Sequence, residues 1–192
     1  MGSTEATQYF QPFFLTAYIT IGKEVADPVY LSGGACPAGR VCRYSDAARA
    51  SYSSSTTFSL GGIGRTTGAN TGSITLSTTP LAISEESATD QFPIGEVAGK
   101  VGRTTGWTTG PVSATCADVN VDGTNITQLC QTLVDAKVGA GDSGSPVFFE
   151  KPDGTVKLAG ILWGGNTEGT LFAFSPLANI ERPGELGPLI TF

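Results

Sequence analysis

Ser143 lies in the run Val138-Gly139-Ala140-Gly141-Asp142-Ser143-Gly144-Ser145-Pro146-Val147, whose composition fits a nucleophilic serine. Glycines on both sides let the backbone turn tightly and aim amide N–H groups at one point, as an oxyanion requires when a hydroxyl attacks a carbonyl. Gly141, Asp142 and Ser143 are the expected members of that oxyanion hole, with Asp142 adding a fixed charge beside the nucleophile. The competing reading is a glycine-rich turn ahead of a strand at Pro146–Glu150. Composition limits the chemistry in one respect: the chain contains no histidine. A serine hydroxyl left without an imidazole base stays protonated near neutral pH.

The rest of the chain must supply a scaffold for this loop. Its 192 residues fit one compact unit or two small subdomains sharing a core. Abundant Gly, Ser and Thr with few charged residues favour short strands and turns over helices. The net charge of −6 and the lack of a basic run interleaved with aromatics argue against nucleic acid as a partner. No apolar run approaches the ~20 residues of a membrane span.

Four cysteines fall in two close pairs, Cys36/Cys42 and Cys116/Cys130, spaced for local bridges in an oxidising, extracellular setting. A zinc site would need all four thiolates at spacings unlike those of zinc ribbons. No signal peptide is read at the start, where Met1-Gly2-Ser3 looks like a start or cloning remnant joined to a mature segment.

Residues 8–20 are rich in Phe, Tyr and Thr and read as one or two buried strands. Asp46 follows the Cys36–Cys42 loop between small residues, in Ser45-Asp46-Ala47-Ala48, where a carboxylate can be held in place. Strands are expected at 58–63 and 72–76, and 80–92 reads as the connector between halves. Gly64-Arg65-Thr66-Thr67-Gly68 recurs as Gly102-Arg103-Thr104-Thr105-Gly106, which reads as the same hairpin chemistry used twice. A hairpin is expected over 95–117. The run Asp118 to Gly123 imitates the start of a calcium loop, but Leu129 stands where the closing Glu is required, so a turn is expected.

Beyond the serine loop, strands are expected at Pro146–Glu150 and 156–163. Leu162-Trp163-Gly164-Gly165 ends the second one, exposing backbone beside an aromatic wall, which suits an extended peptide bound by strand addition. A further strand at 169–174 leads to Ser175-Pro176, expected to be the N-cap and first-turn proline of a short helix to about 182.

Gly141-Asp142-Ser143-Gly144-Ser145-Pro146 resembles the active-serine signature of the chymotrypsin/trypsin-like serine proteases, especially their secreted bacterial, streptogrisin-like branch. Lys100 to Gly106, Thr109-Gly110-Pro111-Val112, Trp163-Gly164 and Ser175-Pro176-Leu177 continue the resemblance in the family's order. It implies an all-β fold of two antiparallel β-barrels with a short C-terminal helix and the site in the cleft between them. Residues 1–90 would form a partial first barrel carrying the aspartate, and 91–192 a second barrel carrying the nucleophile.

By the same resemblance Ser143 would be the nucleophile, Asp46 the aspartate of the triad, and Leu162, Trp163 and Gly164 the substrate-binding strand. No cofactor or metal is implied, and the partner is a peptide or protein substrate. Lys137 stands where the family places the base of its specificity pocket; facing the pocket it would favour an acidic side chain, and facing solvent it says nothing.

The departure lies upstream. Phe14-Leu15-Thr16-Ala17-Tyr18-Ile19-Thr20 resembles the family's strand before the histidine, which puts Ile19 where the histidine belongs. The alternative, favoured because only 45 residues precede Asp46, is that the chain starts after the histidine, which a separate N-terminal segment or second chain would supply. Two functions follow: a serine hydrolase completed by such a segment, or an inactive protease-like scaffold that binds peptide or a partner protein.

Overall fold

A computed structural model describes residues 7–12 and 18–191. Among these residues lie twelve strands and one short helix: β1 (Gln8–Pro12), β2 (Tyr18–Ala26), β3 (Val41–Arg43), β4 (Arg49–Tyr52), β5 (Gly62–Ile63), β6 (Leu81–Glu86), β7 (Val97–Gly102), β8 (Gly106–Asn120), β9 (Ile126–Val134), β10 (Pro146–Glu150), β11 (Val156–Gly165), β12 (Phe172–Pro176) and α1 (Leu177–Ile180). The fold is all-β, as expected.

β7 to β12 close on themselves. The order β10-β7-β8-β9-β12-β11 is antiparallel throughout, and β10 returns to pair with β11, so no edge is left in the ring. Alternation in β10 explains how the barrel wall is packed. Val147 and Phe149 point into the barrel with Phe92, Val134, Leu162, Phe172 and Phe174, while Phe148 points outward to Trp107, Ile63 and Leu81.

The N-terminal half is organised differently. β1, β2 and β4 make an open antiparallel sheet, whereas β3 runs parallel to β9 and β6 parallel to β11, so strands of the first half are attached to the second. The strands read over 8–20 are present at both ends of that run, but they are not buried: Tyr9, Phe10 and Ile19 are 37–49% exposed. No buried apolar cluster among the described residues includes a member of this sheet, although Phe58 stacks on Tyr52 of β4 at 4.7 Å between ring centroids. Residues 13–17, part of the segment likened to the histidine strand, lie outside the described residues; Ile19 itself is in β2 opposite Gln11.

Between 53 and 80 the expected strands shrink to β5 and one isolated bridge, Thr66 to Leu76. This segment packs on the start of β8 instead: Trp107 N–H donates to Thr66 Oγ1 (3.0 Å), and Asn70 exchanges bonds with Thr109. The two similar pentapeptides thus lie against one another. Both cysteine pairs are disulfides, Cys36–Cys42 and Cys116–Cys130. The hairpins over 97–120 and 146–165 form as expected, and 121–125 is the turn between β8 and β9. Ser175 is not the helix cap: it belongs to β12, Pro176 precedes the first turn, and no side chain caps it. The reason is that Ser175 Oγ is already committed to Gln131 Oε1 at 2.9 Å.

Candidate active site

The serine loop joins β9 to β10 and is tied down by the aspartate inside it. Asp142 is completely buried. Its Oδ2 accepts from Lys100 Nζ (2.9 Å), Thr105 Oγ1 (2.6 Å) and Gly139 N–H (3.0 Å), and its Oδ1 from the N–H groups of Thr104 (2.8 Å) and Thr105 (3.1 Å). All but one of these donors come from β7 or the β7–β8 turn. Burial by itself would raise the carboxyl pKa, but these donors and the ammonium outweigh it and hold the group down to about 2.

The expected fixed charge at Asp142 thus points away from the serine, and its N–H is not free to serve as an oxyanion donor. Its carboxylate faces the interior and its N–H donates to Gly139 O at 3.0 Å. A carboxylate buried there would be very costly without a partner, and the equally buried Lys100 supplies one.

Gly141 and Ser143 behave differently. The Ala140 carbonyl accepts from Thr104 Oγ1 at 2.7 Å, and the Asp142 carbonyl accepts from Ser145 N–H (3.0 Å) and Ser145 Oγ. In a planar trans peptide the N–H points opposite the C=O. Pinning these two carbonyls therefore fixes the N–H groups of Gly141 and Ser143 on the other side, where neither donates to a described residue. Gly141 has φ of 98°, and a Cβ there would sit 2.7 Å from Thr104 Oγ1, the atom that holds the carbonyl. Two fixed, unsatisfied amide donors flanking an exposed serine are what an oxyanion site requires.

Ser143 Oγ donates to the Trp163 carbonyl at 3.3 Å. That oxygen can accept the hydrogen bond but cannot act as a base, so the hydroxyl stays a hydroxyl. β11 is joined to the loop by Leu162 N–H to Ser145 O (2.9 Å) and Gly144 N–H to Leu162 O (2.7 Å). Pairing of β11 with β10 ends at Ile161, whereas pairing with β12 continues to Gly165, so no strand among the described residues pairs with the edge of 163–165 on the serine side.

Beside Ser143 lies a cavity of about 330 Å³ lined by Val138, Ala140, Leu162, Gly165, Asn166 and Thr167 among others, with no charged residue. Gly165 is required there: a Cβ would come 2.7 Å from Val138 Cγ1. Lys137 is exposed and does not line this cavity; its carbonyl accepts from Thr108 Oγ1 at 2.8 Å.

Asp46 is connected to Trp163 by a chain of hydrogen bonds. Its N–H donates to Ser175 Oγ (2.9 Å), Ser175 Oγ donates to Gln131 Oε1, and the Trp163 indole N–H donates to the same oxygen at 2.8 Å. Gln131 Nε2 returns to the Tyr44 carbonyl (2.8 Å), and Glu185 holds Tyr44 N–H and Ser45 Oγ at 2.8 and 2.6 Å. Asp46 and Ser143 are thus both linked to Trp163, Ser143 through its carbonyl and Asp46, by way of Ser175 and Gln131, through its indole. One oxygen of the Asp46 carboxylate is engaged: Oδ1 accepts from Arg43 Nη2 at 2.7 Å, and Arg43 also holds Asp27 at 2.7 Å.

Lys100, Thr104, Gln131, Ser175, Glu185 and Arg43 were not singled out from sequence as site-building residues. For Lys100 a signal existed, a lone lysine inside a Val/Ala/Gly strand, where a buried ammonium must find a carboxylate.

No family model matches the chain and no curated protein matches it. Solved structures do. A chymotrypsin of Cellulomonas bogoriensis is 19% identical with a TM-score of 0.54, covering 83% of this chain and 70% of that one. A glutamic-acid-specific serine protease is 18% identical with a TM-score of 0.55, covering 83% and 68%. Nocardiopsis protease is 20% identical with a TM-score of 0.53, covering 91% and 81%. At these identities the likeness establishes the fold, which is chymotrypsin-like.

Proposed function

We propose that this chain is a serine-hydrolase scaffold of the trypsin-like endopeptidase type: it binds an extended peptide along 163–165 and presents Ser143 to a carbonyl. The base comes from a histidine-bearing segment or second chain. The observation that carries this reading is the pinning of the Ala140 and Asp142 carbonyls, which holds two amide donors ready beside the serine. A merely structural glycine turn has no need to keep two N–H groups free.

In this reading the peptide adds as a strand to the open edge of β11, and a side chain enters the uncharged cavity beside Ser143. Ser143 Oγ attacks the carbonyl carbon as its proton passes to the supplied imidazole. The carbonyl oxygen becomes an oxyanion facing the N–H groups of Gly141 and Ser143. Collapse breaks the C–N bond, the imidazolium gives its proton to the leaving amine, and water, deprotonated in turn, hydrolyses the acyl ester. Asp46 would orient the imidazole. Esters would follow the same course.

Alone, the chain has no imidazole to take the serine proton. Loss of a triad member typically leaves only ~10³–10⁴ over water, from binding and oxyanion stabilisation. The second reading, an inactive scaffold that holds peptide without cleaving it, is favoured by one observation: the Asp46 carboxylate is already paired with Arg43. The two disulfides support an extracellular setting, and no helix among the described residues is long and apolar enough to cross a membrane. Reaction of Ser143 with a fluorophosphonate, with and without a histidine-bearing upstream segment, separates the readings, because only an activated serine reacts quickly.

A further inference from the structure

Cys116 and Cys130 bridge the neighbouring strands β8 and β9, and both have a left-handed backbone, with φ of 47° and 53°. Asn70 is the only other non-glycine residue at positive φ among those described. A residue with a Cβ is strained there, and such strain persists only where its surroundings impose it. The β8–β9 ladder is interrupted at the same place: its register shifts on both sides of the pair Ala117–Gln131. The bridge is also open to attack at one end. Cys116 is exposed, whereas Cys130 and both members of the Cys36–Cys42 bridge are buried. Strained or exposed disulfides are the ones that exchange readily with thiols. Cys130 Sγ lies 3.6 Å from Asp90 Oδ2, an acceptor in place for the thiol proton once the bridge opens.

The residue after Cys130 ties the bridge to the candidate site. Cys130 N–H donates to Asp118 Oδ1 (3.0 Å), and its carbonyl accepts from Asn179 Nδ2 (2.8 Å). Gln131 follows, and its side chain holds the Trp163 indole, Ser175 Oγ and the Tyr44 carbonyl. Trp163 in turn carries the carbonyl that Ser143 Oγ contacts. Once the cross-link is gone, Cys130 can leave the left-handed region, and a change in its backbone angles turns the 130–131 peptide from which Gln131 projects.

Resting on the peptide-binding reading above, we propose that Cys116–Cys130 is a redox switch of that site, firm when oxidised and slack when reduced. A thiolate of an external dithiol attacks the exposed Cys116 Sγ. The S–S bond breaks, and Cys130 Sγ leaves with its electron pair and takes up a proton. The second thiol of the dithiol then attacks the mixed disulfide and releases Cys116 as a thiol. The cystine gains two electrons and two protons, all supplied by the dithiol, which ends as a disulfide.

The test equilibrates the chain, in a Trp107→Phe background, with a series of reduced-to-oxidised dithiothreitol ratios, then alkylates it and reads each bridge by peptide mass. Cys116–Cys130 should be half reduced at a ratio at least about tenfold lower than Cys36–Cys42. At that midpoint Trp163 emission should shift, and affinity for an acetylated tetrapeptide amide ending in leucine should fall about tenfold, both restored on reoxidation. A chain with Cys116→Ser and Cys130→Ser should bind as weakly as the reduced one. With Cys116→Gly and Cys130→Gly, where positive φ is free of strain, affinity should stay within about threefold of the oxidised chain. Equal midpoints for the two bridges overturn the switch. So does opening of Cys116–Cys130 with Trp163 emission and affinity unchanged, or a glycine chain as weak as the serine chain. If the oxidised chain binds no peptide, the peptide reading fails by itself, and the switch stands or falls on the Trp163 shift.

Discussion

Thr104 Oγ1 donates to the carbonyl of Ala140 at 2.7 Å, and through that bond a residue of the β7–β8 turn sets the direction of an amide in the serine loop. Thr104→Val keeps the shape and removes the donor, leaving the 140–141 peptide free to rotate. A peptide boronic acid, whose tetrahedral adduct with Ser143 places an oxygen where the oxyanion would lie, should bind ~10²-fold more weakly to the variant. The corresponding peptide amide should bind equally to both. Equal boronate affinities would mean that the pinned carbonyl has no part in the site.

Lys100 and Asp142 form a fully buried ion pair at 2.9 Å. Removing one partner strands the other charge, so Asp142→Asn or Lys100→Met alone should cost about 3–5 kcal/mol in urea unfolding. The double variant Lys100→Met with Asp142→Asn should recover much of that loss.

The same pair sets an acid limit. The folded-state pKa of Asp142 is about 2 against an ordinary 3.8, a depressed carboxylate, so its contribution is complete above about pH 4. It is lost as pH falls toward 2. Stability of the native chain should drop between these values by more than that of the double variant, measured as urea midpoints across pH 2–5.

Gln131 accepts from Trp163 and Ser175 and donates to Tyr44. Gln131→Leu leaves several buried polar groups without partners, at ~1–3 kcal/mol each. The melting temperature should fall, and Trp163 emission should broaden as the indole loses its anchor.

Gly165→Ala places a Cβ 2.7 Å from Val138 Cγ1 and 2.9 Å from the Leu171 carbonyl. Something must shift toward the cavity at Ser143. Peptide affinity should fall about tenfold while the disulfides and the barrel remain, as judged by circular dichroism and intact mass.

What could be read from the chain was what is local in it. The Gly-Asp-Ser-Gly loop, the two cysteine pairs and the hairpins around 102–106 and 152–154 involve residues close in sequence, and turn chemistry specifies them. The partners that fix the site are distant: Lys100 is 42 residues from Asp142, and Gln131 is 32 from Trp163 and 44 from Ser175. No periodicity announces such pairings. The sequence places the Asp142 charge beside the nucleophile, and only the fold shows that the β7–β8 turn wraps it. The first half was least legible because its Ser/Thr/Gly-rich stretch from 53 to 80 lacks apolar alternation and is placed by contacts with β8 and β11.

On the function proposed above, Ser143 stands beside two free amide donors and lacks a base. The most direct measure of this is the rate at which a fluorophosphonate labels Ser143, with Ser143→Ala as the blank, before and after a histidine-bearing upstream segment is added. The account predicts slow labelling alone, ~10³-fold or more below the rate after the segment binds. Fast labelling of the chain alone, or no acceleration with the segment bound, would contradict it.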